Sequence, residues 1–303
     1  MTFNTWAGFI LALFVYGSSM KIFKVSELKN YLPIGIKDEN GKWHREFSLR
    51  PYKGKTDRLL ALWDKEQESL KDKDQRQYEI KKVAKHIALM LERVGDLTFP
   101  TDKDGNALPS TELAVLGMNL ADVMYLYIYL RIKALGNDLT IPFVCPSCGH
   151  RTGVSIDMTQ IEVHVPEKPE QAAFWVKLSS PLVVKDNFTI NSFYIEPLKF
   201  HSLANHSNLT VNNSMDLFAL QETVTKVNEH QGGTSYHLSD SELDELDKKD
   251  ILHLTAEASK CKVGPEPVVD VECPKCHTET PNILDWSHTF FFEQSFLLTA
   301  LNP

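Results

Sequence analysis

The spacing of apolar and polar positions predicts an extended beginning followed by helices. Residues 20–52 contain two alternating runs, YLPIGIK and WHREFSLRP, on either side of the turn DENGK. Alternation with a period of two is typical of half-buried strands, so a β-hairpin is expected here. Helical spacing follows in TDRLLALWDKEQESL, which Thr56 can cap, and in YEIKKVAKHIALMLERVGDL, where the apolar positions run from Tyr78 to Val94.

The strongest predicted helix is NLADVMYLYIYLRIKALG. Asn119 can cap it, Asp122 stands three residues later, and Gly136 follows as a C-terminal stop. Arg131 lies near its C-terminal end, where the helix dipole favours a cation. Because its middle is apolar almost all round, the sequence predicts a central buried helix.

The second half of the chain predicts short strands around two helical stretches. DLTIPFVCPSCGHRTGVSIDM indicates a strand, a C-x-x-C turn and a second strand, and VGPEPVVDVECPKCHTETPNILDW repeats that order. The runs EVHVP, FWVKL and FTINSFYIEPL predict further strands. Helices are expected over Met215–Val227 and from Ser239 onward, where Ser239 and Glu242 form an S-x-x-E capping box.

Together these elements predict an α+β fold. It consists of a helical N-terminal domain with a β-hairpin, and a split zinc ribbon that carries a large mixed α/β insertion. The predicted segments are an apolar extension, the hairpin with the helical domain, the first half of the ribbon, the insertion, and the second half of the ribbon with an aromatic tail. In the same order they span 1–19, 20–140, 141–165, 166–262 and 263–303.

Both chain ends are apolar. The run from Trp6 to Tyr16 is shorter than the roughly 20 residues that span a bilayer, and no Lys or Arg precedes it as in a signal peptide. An arm docked on a partner, a signal or membrane segment, and a mis-set start with Met20 as first residue are the alternatives. At the other end, FFFEQSFLL either docks on neighbouring subunits or packs on its own ribbon.

Composition and charge limit the classes of protein to which this chain can belong. The chain is 43% hydrophobic and 24% charged, as in ordinary globular proteins. Its net charge of −8 argues against broad, sequence-independent binding of nucleic acid, which needs Lys and Arg to neutralise phosphates. Five cysteines are too few for a secreted fold held by disulfides.

Four of the cysteines form two C-P-x-C units, and these carry the clearest chemistry in the sequence. The pairs are Cys145 with Cys148 and Cys273 with Cys276. In such a turn two thiolates converge, and four sulfurs satisfy tetrahedral Zn²⁺ and leave no position for a catalytic water. The sequence therefore predicts one structural zinc site, with 124 residues between its two halves.

Other uses of the cysteines are less consistent with the flanking sequence. A thioredoxin-type C-x-x-C opens a helix after a strand, whereas here an extended segment follows each unit. A disulfide set is a further alternative, and an iron site of the rubredoxin type would use the same four ligands. His150 and His277 follow the units. Either could replace a ligand or hydrogen-bond a sulfur, but both are expected to be solvent-facing, and Cys261 is expected to be a buried or idle thiol.

No catalytic motif appears in the sequence. It contains no Walker loop, no G-x-S-x-G, no H-E-x-x-H and no G-x-G-x-x-G. The acidic run SDSELDELDKKD is typical of a solvated helix face. We therefore expect no enzyme and no small-molecule substrate.

Three segments in a fixed order resemble a known family. They are LPIGIKDENGKWHREFSLRP, LADVMYLYIYLRIKALGNDLTIPFVCPSCG, and a late CPKC followed by FFF. The order resembles that of zinc-ribbon-bearing baseplate hub or tail-assembly proteins of contractile-tailed (T-even-like) bacteriophages, over most of residues 28–157 and 239–292. The resemblance implies a non-enzymatic virion component, made in the host cytoplasm and present in several copies in a symmetric assembly. Its partners would be hub, tube or wedge subunits of the tail, with no nucleic acid.

Two other functions remain open at this point. A zinc ribbon can bind nucleic acid or a transcription complex, although the C-P-x-C tips carry only Arg151 and Lys275 as cations. An enzyme whose site leaves no motif in a single sequence is the other alternative.

Overall fold

The computed structural model describes residues 20–184, 188–204, 220–259 and 263–284. The fold is α+β, as the sequence predicts. The described helices are α1 Val25–Leu28, α2 Gly54–Glu66, α3 Glu68–Lys73, α4 Gln75–Met90, α5 Pro109–Leu116, α6 Leu120–Leu135, α7 Asp240–Asp244 and α8 Lys248–Ser259. Short 3₁₀ turns lie at Met158–Gln160, Pro169–Ala172, Phe200–Ala204 and Glu229–Gln231.

The described strands are short and pair antiparallel throughout. The first eight are β1 Met20–Lys24, β2 Tyr31–Lys37, β3 Trp43–Leu49, β4 Leu91–Val94, β5 Leu97–Thr98, β6 Asp138–Val144, β7 Arg151–Asp157 and β8 Glu162–Pro166. The others are β9 Phe174–Val183, β10 Thr189–Ile195, β11 Val224–Val227, β12 Thr234–Ser235, β13 Gly264–Pro265, β14 Val268–Glu272 and β15 Glu279–Ile283.

These strands form small separate sheets. The order β2-β3-β4-β5 follows the chain, and the insertion has the order β12-β11-β10-β9. Two hairpins, β6-β7 and β14-β15, stand apart as two-stranded sheets. The three-stranded sheet β1-β8-β13 joins segments that are distant in the sequence.

Helix α6 lies at the centre of the largest hydrophobic cluster. Its side chains are apolar on nearly every face, and five of the apolar ones, Val123, Tyr125, Leu126, Ile128 and Leu130, are 0–1% exposed. The cluster also draws on α4 and on β2. The predicted central helix is therefore confirmed, with Asn119 as its N-cap residue and Gly136 as its C-cap residue.

A buried carboxylate from α6 replaces part of the β2–β3 ladder. The pairing of β2 with β3 shifts register between Tyr31 and Ile36. In that interval Asp122 accepts hydrogen bonds from the backbone N–H of Ile34 at 2.8 Å and of Gly35 at 3.0 Å. Burial raises the pKa of Asp122 to about 6, although these hydrogen bonds act in the opposite direction. The predicted hairpin therefore forms, but its middle is tied to a helix.

The carbonyl groups of the same interval are also satisfied. The Arg45 guanidinium donates to the carbonyl oxygens of Leu32 at 2.9 Å and Pro33 at 3.0 Å. Gly35 has a φ of +99°, and a Cβ there would lie 2.4 Å from the His44 carbonyl oxygen. Only glycine is compatible with both the backbone conformation and the close approach.

The insertion has its own hydrophobic cluster. Its buried residues are Val176, Leu182, Ile190, Phe193, Ile195, Leu220, Val224, Val227, Leu238, Leu243, Leu246 and Leu254. Here too an aspartate bridges a helix and an interrupted ladder: Asp250 of α8 accepts hydrogen bonds at 2.7 Å from the backbone N–H and the hydroxyl of Ser179. The register of β9 with β10 shifts at this place, between Ile190 and Ser192.

The two ends of the insertion are paired in a sheet. Strand β8 leads into the insertion and β13 leads out of it, and Gly264 pairs with His164. The Glu266 N–H also donates to the Glu162 carbonyl oxygen at 2.7 Å. The insertion is therefore closed at its base by backbone hydrogen bonds as well as by the ribbon that follows.

Three predicted helix boundaries are wrong. The helix expected through Val94 ends at Met90, because the chain turns into β4 and pairs with β3. The helix expected over Met215–Val227 gives way to β11, because Val224–Val227 pairs with β10. Residues 220–223 are helical, and the preceding part of that prediction lies outside the described residues. Helix α2 begins at Gly54 with Lys53 as N-cap, before the predicted cap Thr56.

Other predictions fall outside the part of the chain that the structure describes. These are the apolar extension over 1–19, the aromatic tail beyond residue 284, and Cys261. Among the described helices, none combines the length and the apolar character needed to cross a bilayer.

Candidate metal centre

Helix α6 delivers the first hairpin of the ribbon. Arg131, fully buried near the end of α6, donates to the carbonyl oxygens of Gly136 at 2.9 Å and Asp138 at 3.0 Å. These bonds fix the chain where it leaves the helix and enters β6. Strand β6 then pairs with β7 over its full length, from Asp138 with Asp157 to Val144 with Arg151.

The second hairpin comes from the base of the insertion. Strand β13 belongs to the sheet of β1 and β8, and the chain continues into β14, which pairs with β15 from Val268 with Ile283 to Glu272 with Glu279. The Leu284 N–H donates to the Pro267 carbonyl oxygen at 2.8 Å and closes the open end of this hairpin.

Both hairpins turn at a C-P-x-C knuckle with the same backbone hydrogen bonds. In the first, the Cys145 N–H donates to the His150 carbonyl at 2.9 Å and the Gly149 N–H to the Cys145 carbonyl at 2.9 Å. In the second, the Cys273 N–H donates to the Thr278 carbonyl at 3.0 Å, and the His277 N–H donates to the Cys273 carbonyl at 2.8 Å. The repeated sequence therefore produces a repeated turn.

The residue after each knuckle adopts a left-handed conformation. Gly149 has a φ of +68°, and His277, at the matching place, has a φ of +58°. Glycine adopts this conformation at no steric cost, whereas a residue with a Cβ adopts it only at a steric cost. The His277 ring nitrogen Nδ1 lies 2.7 Å from the Glu272 carboxylate, which anchors the histidine side chain on its own hairpin.

The structure brings all four cysteines of the two knuckles together. Their sulfur atoms lie within 4.8 Å of one another, with 3.6 Å between the Sγ atoms of Cys145 and Cys276 and 3.7 Å between those of Cys148 and Cys273. A tetrahedral zinc with bonds of about 2.3 Å places its sulfurs about 3.8 Å apart. The four sulfurs therefore fit one tetrahedral metal ion.

The surroundings of the cluster suit a structural ion. Cys145 and Cys273 are buried, and they pack with Phe143 and Val271 in a small hydrophobic cluster of their own. Cys148 is exposed at the tip. All four donors are thiolates, so the site has no place for the exchangeable water of a catalytic zinc.

The thiols differ in how readily they ionise. The Cys148 backbone N–H lowers the pKa of Cys145, and Thr278 lowers the pKa of Cys276 to about 6 through its hydroxyl and its N–H. At Cys148 the His150 N–H acts in the same direction, but desolvation and three neighbouring thiols outweigh it and raise the pKa to about 12. Four thiolates this close repel one another, so a bound cation would be needed for all of them to ionise.

The alternatives of a redox pair or a disulfide set fit this arrangement poorly. Each knuckle is followed by a strand, β7 or β15, and not by the helix of a thioredoxin-type site. The four described cysteines are free, and the sulfur contacts of 3.6 Å and 3.7 Å each join one knuckle to the other.

The two charged side chains by which α6 holds neighbouring backbone were visible in the sequence only as parts of longer patterns. Arg131 was assigned to the helix dipole, but its guanidinium instead holds the helix exit. Asp122 was assigned to helix capping, but it binds the backbone of β2. A charged residue inside an otherwise apolar helix is the signal that would have singled out both side chains.

Comparison with protein families gives one match. The family model described as T4 bacteriophage base plate protein matches residues 36–292, which include both knuckles and the whole insertion. No curated protein matches the chain. No solved structure matches it either.

Proposed function

Because this chain belongs to the family of T4 bacteriophage base plate proteins, we propose that it is a hub or hub–wedge subunit of a contractile phage tail. The family membership makes it a structural component of the baseplate and so of the virion. The finer placement, at the hub or where hub and wedges meet, is our proposal. The single observation that carries the baseplate role is the family match over 36–292. The resemblance of the three ordered segments to hub and tail-assembly proteins supports the finer placement.

We also propose that Cys145, Cys148, Cys273 and Cys276 hold one structural Zn²⁺. The distances between their sulfurs and the purely thiolate donor set support this assignment. Iron would suit the same geometry, and metal analysis distinguishes the two ions. When bound, the ion would contribute folding free energy and no chemistry, since a closed tetrahedral site lacks an open position.

The proposed ion would join two hairpins that reach it from different parts of the chain. The first knuckle extends from the core around α6, and the second follows the base of the insertion. Sheet pairing between β8 and β13 already closes that base. The ion would therefore fix the direction of the ribbon relative to the insertion, which matters for a subunit that must present fixed surfaces to neighbours.

The division into segments remains part of the proposal. The separate hydrophobic cluster of the insertion, formed from residues between 174 and 258, supports treating 166–262 as a unit of its own. We propose that this unit and the ribbon make the contacts with other baseplate subunits, in several copies and without catalytic activity.

The nucleic-acid alternative is not favoured by the surface of the ribbon. The residues that line the space between its hairpins include the carboxylates of Asp157, Asp270 and Glu272. Phosphate binding needs cations at such places.

A phage that lacks the chain tests the proposed role. With an amber codon in this gene, we expect non-suppressing hosts to accumulate particles without complete baseplates, and we expect complementation to restore them. In wild-type virions, quantitative mass spectrometry is expected to find the chain in the baseplate fraction at a fixed ratio to the hub. Assembly of complete, infectious tails without the chain would overturn the proposal, and a fixed ratio to the distal wedge proteins alone would overturn the hub placement.

A further inference from the structure

A cleft separates the two hairpins of the ribbon. Its volume is about 700 Å³, within the range of about 300–1,000 Å³ that is typical of ligand sites. Consecutive residues of both β7 and β14 line it, Val154–Asp157 and Val268–Glu272. Since successive side chains of a strand point to opposite faces, a run of consecutive lining residues means that the cleft borders the edges of these strands.

Both edges offer free backbone groups to the cleft. In an antiparallel hairpin, residue pairs that hydrogen-bond to each other alternate with pairs whose N–H and C=O point away. The bonds from the Cys145 N–H and the Cys273 N–H fix this alternation in each hairpin. It follows that Ser155 of β7 and Asp270 and Glu272 of β14 direct their backbone groups outward. Within the described residues, β7 pairs only with β6, and β14 only with β15.

The opposite edge of each hairpin is blocked by a proline. Pro142 of β6 pairs with Gly153, and Pro281 of β15 pairs with Asp270, both at outward-facing positions. A proline has no N–H, so it prevents another strand from pairing along that edge. Strands β7 and β14 contain no proline. The sequence thus protects the outer edges and leaves open the two edges that border the cleft.

The cleft combines an apolar floor with an acidic rim. Its lining has no Lys or Arg and includes five carboxylates, those of Asp157, Glu162, Glu266, Asp270 and Glu272. The half-buried side chains of Val154, Ile156 and Val269 provide apolar surface between them.

Nearby basic side chains offset only part of this charge. The Lys24 ammonium lies beside Asp157 and donates to Gln160, and His277 pairs with Glu272. The His164 ring lies 3.7 Å from the Glu266 carboxylate. Over the described ranges, no ion pair involves Glu162 or Asp270.

We propose that this cleft binds an extended segment of a partner baseplate protein that bears Lys or Arg, and that the segment pairs as an added strand with β14. Backbone hydrogen bonds to Asp270 and Glu272 would supply affinity, and alternate side chains would reach the apolar floor and the acidic rim. The proposal deepens the structural role given above and rests on it, since it names the chemistry of one partner.

Peptide binding to the zinc-loaded full chain tests the proposal. The probe is a short fluorescent peptide of alternating lysine and valine, followed by anisotropy, and a glutamate–valine peptide serves as negative control. We expect saturable binding that weakens about tenfold in Asp270→Lys, since one rim charge is reversed. Asp104→Lys changes charge in the same way on a distant exposed loop, and we expect it to bind like the wild type.

Hydrogen exchange tests the pairing itself. The outward amides of Asp270 and Glu272 are expected to exchange rapidly in the free chain and to become protected when the lysine–valine peptide binds. Asp270→Pro removes one of these donors opposite the existing Pro281 and is expected to weaken binding without loss of zinc. Equal binding by Asp270→Lys, or binding without protection of 268–272, would overturn the proposal.

Two further outcomes separate this proposal from the function on which it rests. If the chain forms a dimer that Asp270→Lys dissolves, the occupant is a second copy and the proposed partner is wrong. If phage carrying Asp270→Lys assemble complete baseplates with normal yield and stability, the cleft is not a docking site, although the baseplate role stands. Absence of the wild-type chain from baseplates would instead refute the proposed function.

Discussion

The two knuckles of the ribbon make the same turn with different residues and rest on different supports. The first turn ends in Gly149 and the second in His277, yet both residues have a φ near +60°, at +68° and +58°. The first hairpin leaves a buried helix whose exit Arg131 holds, while the second leaves a short strand at the base of the insertion. The comparison teaches that turn geometry is set locally by C-P-x-C, whereas the meeting of the two turns depends on distant parts of the fold.

Removing one metal ligand should have the largest effect on metal binding and ribbon stability. The effect should be the same whichever knuckle loses the ligand. Cys145→Ser and Cys273→Ser are each expected to abolish metal binding and so to remove a contribution on the order of 10 kcal/mol from the ribbon. The core around α6 should stay folded, because most of its buried side chains come from outside the two hairpins. Metal analysis, together with hydrogen exchange of the two hairpins and of α4 and α6, measures both expectations.

The fifth cysteine supplies the control. Cys261→Ser removes a thiol outside the two C-P-x-C units and is expected to leave metal content unchanged. If Cys145→Ser loses the ion while Cys273→Ser keeps it, the two knuckles do not share one site and the comparison fails.

Arg131→Met should affect the first knuckle far more than the second. It removes the donor of two part-buried hydrogen bonds to the carbonyl groups of Gly136 and Asp138, which we expect to cost about 1–3 kcal/mol. Urea unfolding gives the total, and hydrogen exchange shows where the loss falls. Arg131→Lys keeps the charge and should recover part of the stability. Equal loosening of β14 and β15 would show that the supports are not independent.

The pH dependence of unfolding should reveal the buried carboxylate of Asp122 in α6, the helix from which the first hairpin leaves. Burial raises the pKa of Asp122 to about 6 in the folded chain, from 3.8 in the exposed state. The protonated form is thus favoured by folding, so its contribution is present below pH 4 and is lost as the pH rises through 6. Relative to Asp122→Asn, the wild type should lose about 3 kcal/mol between pH 3 and pH 7.

The measurement for Asp122 is urea unfolding of both chains in a chelator, so that thiol titration contributes equally to each. A stability difference between them that stays constant over that range would show that the carboxylate does not titrate there.

Substituting the residue after each knuckle, Gly149 or His277, should change the stability of the ribbon in opposite directions. Gly149→Ala places a Cβ at a φ of +68° and is expected to destabilise the ribbon by about 1 kcal/mol. His277→Gly relieves the same strain in the second knuckle and is expected to stabilise it by up to about 1 kcal/mol. Thermal unfolding of the zinc-loaded chain measures both. Destabilisation by both substitutions would mean that the His277 side chain contributes more than its backbone strain costs.

The smallest effect is expected from Glu272→Gln. The His277–Glu272 contact is exposed at the tip, and exposed pairs contribute about 0.2–1 kcal/mol when both groups are charged. The loss should shrink in high salt, because solvent-exposed charges are screened. A large, salt-independent loss would show that the pair helps to shape the second turn.

The sequence predicts much of this architecture because much of it is local. The hairpin over 31–49, the central helix and both strand–knuckle–strand units follow from periodicity and from turn residues. The capping box at Ser239 also forms, with the Glu242 carboxylate accepting from the Ser239 N–H at 2.8 Å. Helix α5 was missed, although Pro109 at its first position is a known start signal.

The rest depends on tertiary contacts that periodicity does not encode. Leu91–Val94 is a strand because Phe47 and its neighbours pair with it, and Val224–Val227 is a strand because β10 does. The interrupted ladders at Asp122 and Asp250 arise from side chains at least 70 residues away in the sequence. The repeated C-P-x-C motif predicts that the four cysteines meet. It gives no indication of the β8–β13 pairing, which also closes the insertion.

X-ray absorption at the metal edge of the purified native chain tests the central claim most directly. One ion per chain, zinc or iron, coordinated by four sulfurs at about 2.3 Å, is the result that a single site shared by both knuckles predicts. A chain purified without any bound metal, or an ion with only two sulfur ligands, would contradict it.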